Sequence, residues 1–487
     1  MAKAFGQGLA MEGNVEVTPK DAFYEVRLPG LSFVLGSEGK LDIGTITAKA
    51  TPDSSGGWLT DVTLPSPMTF YDKTNTPVSE ITIGAQSFSG IWNPSKEIYS
   101  KFDSSYQDIR IKSPDLLTVS IGSLKSRIDL KDNDDGTWSG PNDYEAADIK
   151  IEISARNALR LDIGRIISSN TYKRLNLNQT LEVKKKLREV FNPEKPMTEE
   201  DRKALLETLL SKSQKLIDDM SSVAEIVGFS LTENNTDPAQ PRREISFDKF
   251  TFQGVSDGLG KEKSAFNIKS SLDGLKTSFI PAGFEGLAPK AFNIDVAIAD
   301  LPFRKILETL VTAGAEAADK QKQKAENGDK TEPAKADAAA FLPKMLQDAG
   351  SSLAFQNTFV KSADLNIGVT GKIEASATTP TGAVGTVTLS LKGLDETVRK
   401  LQTLAVKPGA DPRIMGYTGA LALFQMMGQS DTAADGATLR NYVFLLTPDG
   451  KLLLNNVDFN ALAASTMRSQ RTKEVPTATP KKAPPAP

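Results

Sequence analysis

The chain of 487 residues contains neither cysteine nor histidine. Without cysteine it has no disulfide, no thiolate nucleophile and no thiolate ligand for zinc or an iron–sulfur cluster. Without histidine it has no imidazole for a Ser-His-Asp relay, for a histidine-rich metal site or for a switch near neutral pH. Any remaining chemistry would have to use carboxylates, lysine, tyrosine, serine or threonine, with Mg²⁺ or Ca²⁺ as the expected metals.

Long apolar runs and an excess of one charge are also missing. No apolar run approaches the roughly 20 residues that span a bilayer, so we expect no transmembrane segment. The first residues, MAKAFGQGLAMEGN, lack the pattern of a signal peptide. With 58 basic and 61 acidic residues the net charge is −3, which gives no overall attraction to nucleic acid or anionic membranes. We therefore expect no nucleic-acid partner.

Motifs of catalysis and metal binding are absent or incomplete. In DNDDG, a calcium-loop register that centres on Gly136 puts Lys131 and Asn142 where carboxylates are expected, so an acidic turn is the favoured interpretation. No Walker A, HExxH or GxSxG motif occurs, and no SxxK frame opens a helix. The low aromatic content of 7% argues against a sugar-binding cleft between paired carboxylates. The sequence predicts a non-enzymatic protein with no catalytic residue, no cofactor and no metal site.

The chain does contain an internal repeat. LDIGTI at residues 41–46 returns as LDIGRI at residues 161–166, with ITIG and VSIG between them and a later, out-of-phase LNIG at residues 365–368. The central isoleucines of the first four copies are about 40 residues apart, which indicates a repeated supersecondary unit: Ile43, Ile83, Ile121 and Ile163. Alternation such as DIKIEI predicts half-buried strands. We predict that LDIG is the return strand of a β-hairpin, with its glycine at a bulge or close backbone approach.

The order of these patterns predicts a mainly β protein with helical insertions (α+β). We expect an elongated antiparallel sheet built from β-hairpin units of about 40 residues, with amphipathic helices covering one face. The predicted regions are 1–170, β-hairpin repeats; 171–245, a helical insertion; 246–300, strands that continue the sheet; 301–350, a helix, a charged disordered loop at 319–336 and a second helix; 351–466, a C-terminal β/α region; and 467–487, a disordered Pro/Lys-rich tail.

Two segments have strong helical character. Residues 198–227 begin with a capping-box-like Thr198 and Asp201 and predict one long amphipathic helix. Residues 412–427, with Asp411 as the predicted N-cap, are apolar on most sides. One interpretation of the second segment is a core helix that covers a sheet. The other is an adaptable ligand-binding surface formed by Met415, Leu421, Phe424, Met426 and Met427.

Three late segments carry a resemblance to known proteins: FNIDVAIADLPFRKIL at residues 292–307, VTLSLKGLDETVRKLQ at 387–402 and YVFLLTPDGKLLLNNVDF at 442–459. Their order resembles the YdgA-like and related alphaproteobacterial envelope proteins of unassigned function. In those proteins many β-hairpins precede a strand, an LP turn into a helix and a final DGK hairpin. The resemblance implies export to the bacterial periplasm, with a leader or anchor that is absent from this chain, and it brings no catalytic residue.

Two functions from different classes follow. In the first, the protein binds a lipid or other apolar ligand in a β-lined groove of the cell envelope. In the second, its own helices fill that surface, and it is a periplasmic scaffold or protein-interaction module whose sheet edges recruit an envelope protein partner. An apolar face wider than the helices can cover would favour the first.

Overall fold

The computed structural model describes residues 9–34, 39–54, 56–113, 116–154, 158–190, 216–234, 243–280, 283–309, 338–407 and 412–459. Within them the chain is mainly β, and one large antiparallel sheet confirms the predicted fold class. Its first strands are β1 (Leu9–Met11), β2 (Glu16–Pro19), β3 (Tyr24–Val34), β4 (Gly39–Pro52), β5 (Trp58–Thr63), β6 (Met68–Asp72), β7 (Pro77–Thr82), β8 (Ala85–Asn93), β9 (Ile98–Ser113), β10 (Leu117–Asp129), β11 (Lys131–Asp132), β12 (Trp138–Ile153) and β13 (Ala158–Leu175).

The second part of the chain adds the remaining strands and the helices. The strands are β14 (Asp219–Asn234), β15 (Arg243–Asp257), β16 (Ser264–Asp273), β17 (Lys276–Thr277), β18 (Ala291–Leu301), β19 (Ser352–Lys361), β20 (Asn366–Ala375), β21 (Ala383–Lys392), β22 (Gln429–Thr432), β23 (Thr438–Leu446), β24 (Leu452–Leu454) and β25 (Val457–Asp458). The helices are α1 (Leu177–Val190), α2 (Ala338–Ala349), α3 (Leu394–Ala405) and α4 (Pro412–Met427), and residues 303–309 are also helical. A 3₁₀ turn covers Glu285–Leu287.

The sheet is a meander, because nearly every long strand pairs with the strands before and after it in the chain. Between β4 and β9 the sheet is made of shorter pieces: β5 pairs with β8, β6 pairs with β7, and both β7 and β8 pair with β9. From β9 the order continues through β10, β12, β13, β14, β15, β16, β18, β19, β20, β21 and β23.

A line of glycines and aspartates crosses the middle of this meander. At one position in each strand, a glycine or an aspartate lies opposite a glycine or an aspartate of the neighbouring strand. The strand pairing keeps the same register before and after this position. Asp108 and Asp148 have φ of 51° and 54°, a region that L-residues rarely adopt in strands. A Cβ atom at Gly122 would lie 2.8 Å from the Cβ atom of Asp148, so only glycine fits there. We call this set the glycine–aspartate line: Asp108, Gly122, Asp148, Gly164, Gly228, Asp248 and Gly274.

The line contains the glycines of two copies of the sequence repeat, Gly122 and Gly164. Ile43, Ile121 and Ile163 lie in β4, β10 and β13, the return strands of hairpins, as predicted, and the close approach at Gly122 confirms the role expected for the glycine. The prediction is wrong for Ile83, which lies in the short connection between β7 and β8 and not in a strand. There the Gly84 N–H donates to the carbonyl of Gln107 in β9 at 3.0 Å, so the connection between β7 and β8 stays hydrogen-bonded to β9.

The long helix predicted over residues 198–227 is wrong at its C-terminal end. Residues 219–227 belong to β14, which pairs with β13 and β15 along its length. Met220, Val223 and Val227 stand at helical spacing, but valine and isoleucine favour strands and two neighbouring strands are present to pair with them. Residues 198–215 lie outside the described part, as do Asp411, the predicted loop 319–336 and the predicted tail 467–487.

A buried apolar cluster lies at the C-terminal end of the sheet. Here α3 and α4 pack on β21, β23 and β24. The helix predicted at residues 412–427 has those bounds, and the second helix predicted within 301–350 is α2. Leu394 is fully buried and Tyr442 is 1% exposed. The buried members are Leu391, Leu394, Val398, Tyr442 and Leu454.

Candidate ligand-binding face

Seven neighbouring strands, β9, β10 and β12–β16, carry three rows of side chains with no charge on one face of the sheet. Because side chains alternate between faces, residues in register across strands share a face. The inner row, next to the glycine–aspartate line, is Tyr106, Leu124, Ala146, Ile166, Ile226, Phe250 and Leu272. The middle row is Ser104, Ser126, Tyr144, Ser168, Ala224, Phe252 and Ser270. The outer row is Phe102, Ile128, Asn142, Asn170, Ser222, Gly254 and Ile268. We call these three rows the uncharged face.

The opposite face of the same strand segments is strongly charged. It carries ten ionisable side chains among the intervening residues: Asp103, Lys125, Arg127, Asp143, Glu145, Arg165, Glu225, Lys249, Lys269 and Asp273. Several form cross-strand ion pairs, such as Lys249 with Glu225 at 2.8 Å and Lys125 with Glu145 at 3.8 Å. The charges are therefore segregated to one side of the sheet, which leaves the other side for apolar contacts.

The inner row continues beyond the uncharged face to the C-terminal core. From Leu272 the registers lead to Phe292, Val360, Ile367 and Leu391. The row thus crosses eleven strands, about 48 Å at a strand spacing of about 4.8 Å. Leu391 and Ile367 lie in the cluster beneath α3 and α4, so these helices cover only the last part of the row.

Several large apolar side chains of this face are exposed. Phe252 is 39% exposed, Ile268 38%, and Ile294, which follows the middle row into β18, 44%. Exposed aromatic and aliphatic side chains in a contiguous set mark a surface that another molecule contacts. Within the described residues, Tyr144, Phe252 and Ile268 therefore present exposed side chains on this face between β12 and β16.

A second apolar set lies on the other side of the glycine–aspartate line. Two rows on β9, β10 and β12–β15 consist entirely of aliphatic and phenylalanine side chains: Ile109, Ile111, Val119, Ile121, Ile149, Ile151, Leu161, Ile163, Phe229, Leu231, Ile245 and Phe247. The rings of Phe229 and Phe247 stack with centroids 4.7 Å apart. Cross-strand apolar pairs of this kind stabilise a sheet, so the line is flanked by apolar rows on both sides.

A cluster of hydroxyl groups interrupts the apolar surface over β9–β13. It consists of Ser104, Tyr106, Ser126, Tyr144 and Ser168. Ser126 is 8% exposed, and its Oγ makes no hydrogen bond within the described part of the chain. Burial raises the pKa of Tyr106, and the neighbouring Tyr144 phenol raises it further, so the Tyr106 phenol stays neutral. We call these five residues the hydroxyl cluster.

The five ligand contacts predicted on α4 do not share one environment. Leu421 packs against the C-terminal core, whereas Met415 and Met426 are 68% and 75% exposed. Phe424 is 41% exposed; its ring meets the Tyr442 ring edge-on, and its carbonyl accepts a 2.6 Å hydrogen bond from the Tyr442 hydroxyl. Met427 is 37% exposed. One side of α4 therefore packs in the core and the other side is exposed, so each interpretation fits part of the helix. A ligand contact on the exposed side stays a prediction.

Sequence reasoning missed the uncharged face, although one signal was present. The spacing of apolar residues changes from two to three where each strand crosses the line, as from Ile163 to Ile166 and from Ile226 to Phe229. A shared phase change in successive strands could have located the line. The rows themselves are aligned by the pairing of one strand with the next, and no single segment of the sequence contains that information.

Comparisons with protein families, curated proteins and solved structures found no match to this chain. The resemblance of the C-terminal segments to YdgA-like envelope proteins therefore stays a prediction. No described helix is both long enough and apolar enough to cross a membrane. The described Asp and Glu side chains form no group of three or more suited to holding a metal ion.

Proposed function

We propose that this protein is a non-enzymatic lipid-binding protein and that its ligand, a lipid or another apolar molecule, lies on the uncharged face. The observation that carries the proposal is the segregation of charge: none on three rows across seven strands, against ten ionisable groups on the reverse side. Burying a charge without a partner is costly, so a face that receives hydrocarbon must be free of charges. Contact with hydrocarbon also removes exposed Phe252 and Ile268 from water.

The proposed setting is the periplasm of a bacterial envelope, where the protein would carry or retain its ligand. The resemblance of the segments at residues 292–307, 387–402 and 442–459 to envelope proteins supports this setting. A scaffold without a small ligand is the competing function. The exposed side chains of Tyr144, Phe252 and Ile268 on the uncharged face favour the ligand.

The test is lipid binding by the purified chain. Native mass spectrometry after gentle purification, followed by organic extraction, would identify any bound molecule, and a fluorescent phospholipid would measure uptake. Phe252→Asp places a charge on the exposed part of the face, and we expect it to lower the amount of bound lipid by about half, because a buried carboxylate must be neutralised or desolvated and excludes hydrocarbon from its own end of the face. Gln253→Asp is the matched control, since Gln253 is the next residue in β15 and faces the charged side.

The outcomes separate the two functions. Uptake by the wild type and by Gln253→Asp, with loss in Phe252→Asp, supports binding on this face. An apo mass with no uptake of offered lipid would eliminate the carrier and leave the scaffold. Equal uptake by both variants would place the ligand elsewhere, with α4 as the next surface to test.

A further inference from the structure

We infer that the hydroxyl cluster binds the polar but uncharged part of the ligand, the ester and hydroxyl groups of a neutral glycerolipid. This inference rests on the proposed lipid-binding function and adds a chemical selectivity to it. The cluster lies within the middle and inner rows, directly beside Leu124, Ala146 and Ile166. A molecule with its hydrocarbon on the inner row would bring its polar end to these hydroxyls.

The first argument is the orphan hydroxyl of Ser126. Its Oγ is buried without a hydrogen-bond partner in the described residues, and a buried hydroxyl without a partner is an unfavourable and rare arrangement. Ser104 next to it donates only a long 3.5 Å hydrogen bond, to the Ser126 carbonyl. A ligand carbonyl or hydroxyl would satisfy the Oγ, which no described protein group does.

The second argument is access. Tyr144 is the direct cross-strand neighbour of Ser126, so their Cβ atoms are about 5 Å apart. Tyr144 is 51% exposed, and exposed side chains change rotamer within nanoseconds. A turn of the Tyr144 side chain opens the space beside Ser126 and keeps the phenol within reach of the same ligand. Neither the Tyr106 nor the Tyr144 hydroxyl makes a hydrogen bond within the described residues.

The third argument is the absence of cations. No lysine or arginine lies on the uncharged face, and the nearest ones on β10, Lys125 and Arg127, point to the reverse side and pair there with Glu145 and Asp103. A phosphate or free carboxylate on this face would therefore be desolvated without a counter-charge. Neutral hydrogen-bonding groups meet no such penalty.

The experiment compares three probes by displacement of a fluorescent lipid: monooleoylglycerol, which is neutral with an ester and two hydroxyls, oleate, which is anionic, and hexadecane, which has no polar group. We expect the wild type to prefer monooleoylglycerol to oleate by at least about ten-fold. In a Ser126→Ala, Tyr144→Phe double variant, affinity for monooleoylglycerol should fall about ten-fold, and hexadecane binding should not change. Ser105→Ala, on the reverse face of β9, is the matched control.

The readouts distinguish the inference from the function beneath it. Equal losses for monooleoylglycerol and hexadecane in the double variant, or no loss for either, would overturn the hydroxyl cluster as a polar subsite while leaving lipid binding intact. A wild type that binds none of the probes would overturn both. Removal of an unsatisfied buried hydroxyl should not harm folding, and Tyr106→Phe provides an independent variant with the same expected loss of selectivity.

Discussion

At the scale of single residues, the glycine–aspartate line depends on Gly122 having no Cβ atom. A Cβ atom at Gly122 would lie 2.8 Å from the Asp148 Cβ and 3.0 Å from its Oδ2. We expect Gly122→Ala to lower the free energy of unfolding by about 2 kcal/mol, because the neighbour to be displaced is fixed to a backbone with positive φ. The shift in the midpoint of thermal unfolding measures this.

Gly254→Ala is the control for that substitution. A Cβ atom there would meet its nearest neighbour, Phe252 Cε1, at an ordinary 3.7 Å. We expect a change within about 0.5 kcal/mol, as for other surface substitutions. If Gly122→Ala unfolds at the same temperature as Gly254→Ala, the close approach at the line does not contribute to stability.

At the scale of elements, one carboxylate joins α3, α4 and β23. Arg440 of β23 donates to both oxygens of Asp395 in α3, at 3.1 and 2.8 Å, and Gln425 of α4 donates to Oδ1 at 3.0 Å. The hydrogen bonds from Arg440 hold the pKa of Asp395 below its usual range. A carboxyl with a lowered folded pKa adds stability above its unfolded pKa of about 3.9, and this is lost as pH falls through the folded value.

Asp395→Asn should therefore destabilise the C-terminal region at pH 7 by about 1–3 kcal/mol. The deficit relative to the wild type should shrink in acid, because protonation removes the wild-type advantage below about pH 4. Hydrogen exchange of the α3 amides at pH 7 and, after correction for intrinsic exchange rates, at pH 3 measures both effects. Glu374→Gln, which breaks an exposed pair with Lys372, should change little. A deficit that is the same at both pH values would contradict the role of the carboxylate charge.

Elements with a local signal could be predicted from the sequence, and those fixed by pairing could not. The alternation in DIKIEI and the turn at Pro448–Gly450 specify hairpins by themselves, and both are present. The sequence predicts a helix over residues 219–227 of β14 because Met220, Val223 and Val227 fit helical spacing, and only the pairing of this strand with β13 and β15 decides otherwise. The uncharged face is harder still, since each strand supplies only three of its residues and six strand registers must be known to align them.

At the scale of the whole molecule, the inner row is longer than one lipid. From Tyr106 on β9 to Phe292 on β18 it crosses eight strands, about 34 Å at about 4.8 Å per strand. The two leaflets of a bilayer share a hydrocarbon core of about 30 Å, so a single acyl chain spans about half of that. The row therefore has room for two acyl chains end to end, and binding should not be limited to one position.

Charges placed at two distant positions test this capacity. Tyr144→Asp on β12 and Ile294→Asp on β18 are five strands apart, about 24 Å, and both wild-type side chains are exposed. Both positions lie in the middle row, beside the inner row, and each single variant should retain about half of the bound lipid per chain, because each charge blocks the hydrocarbon only at its own end of the face. The double variant should bind none, and Asn267→Asp on the reverse face of β16 should bind as the wild type does. Native mass spectrometry counts the bound molecules directly. A complete loss in either single variant would mean that the row holds one ligand whose hydrocarbon needs its whole length.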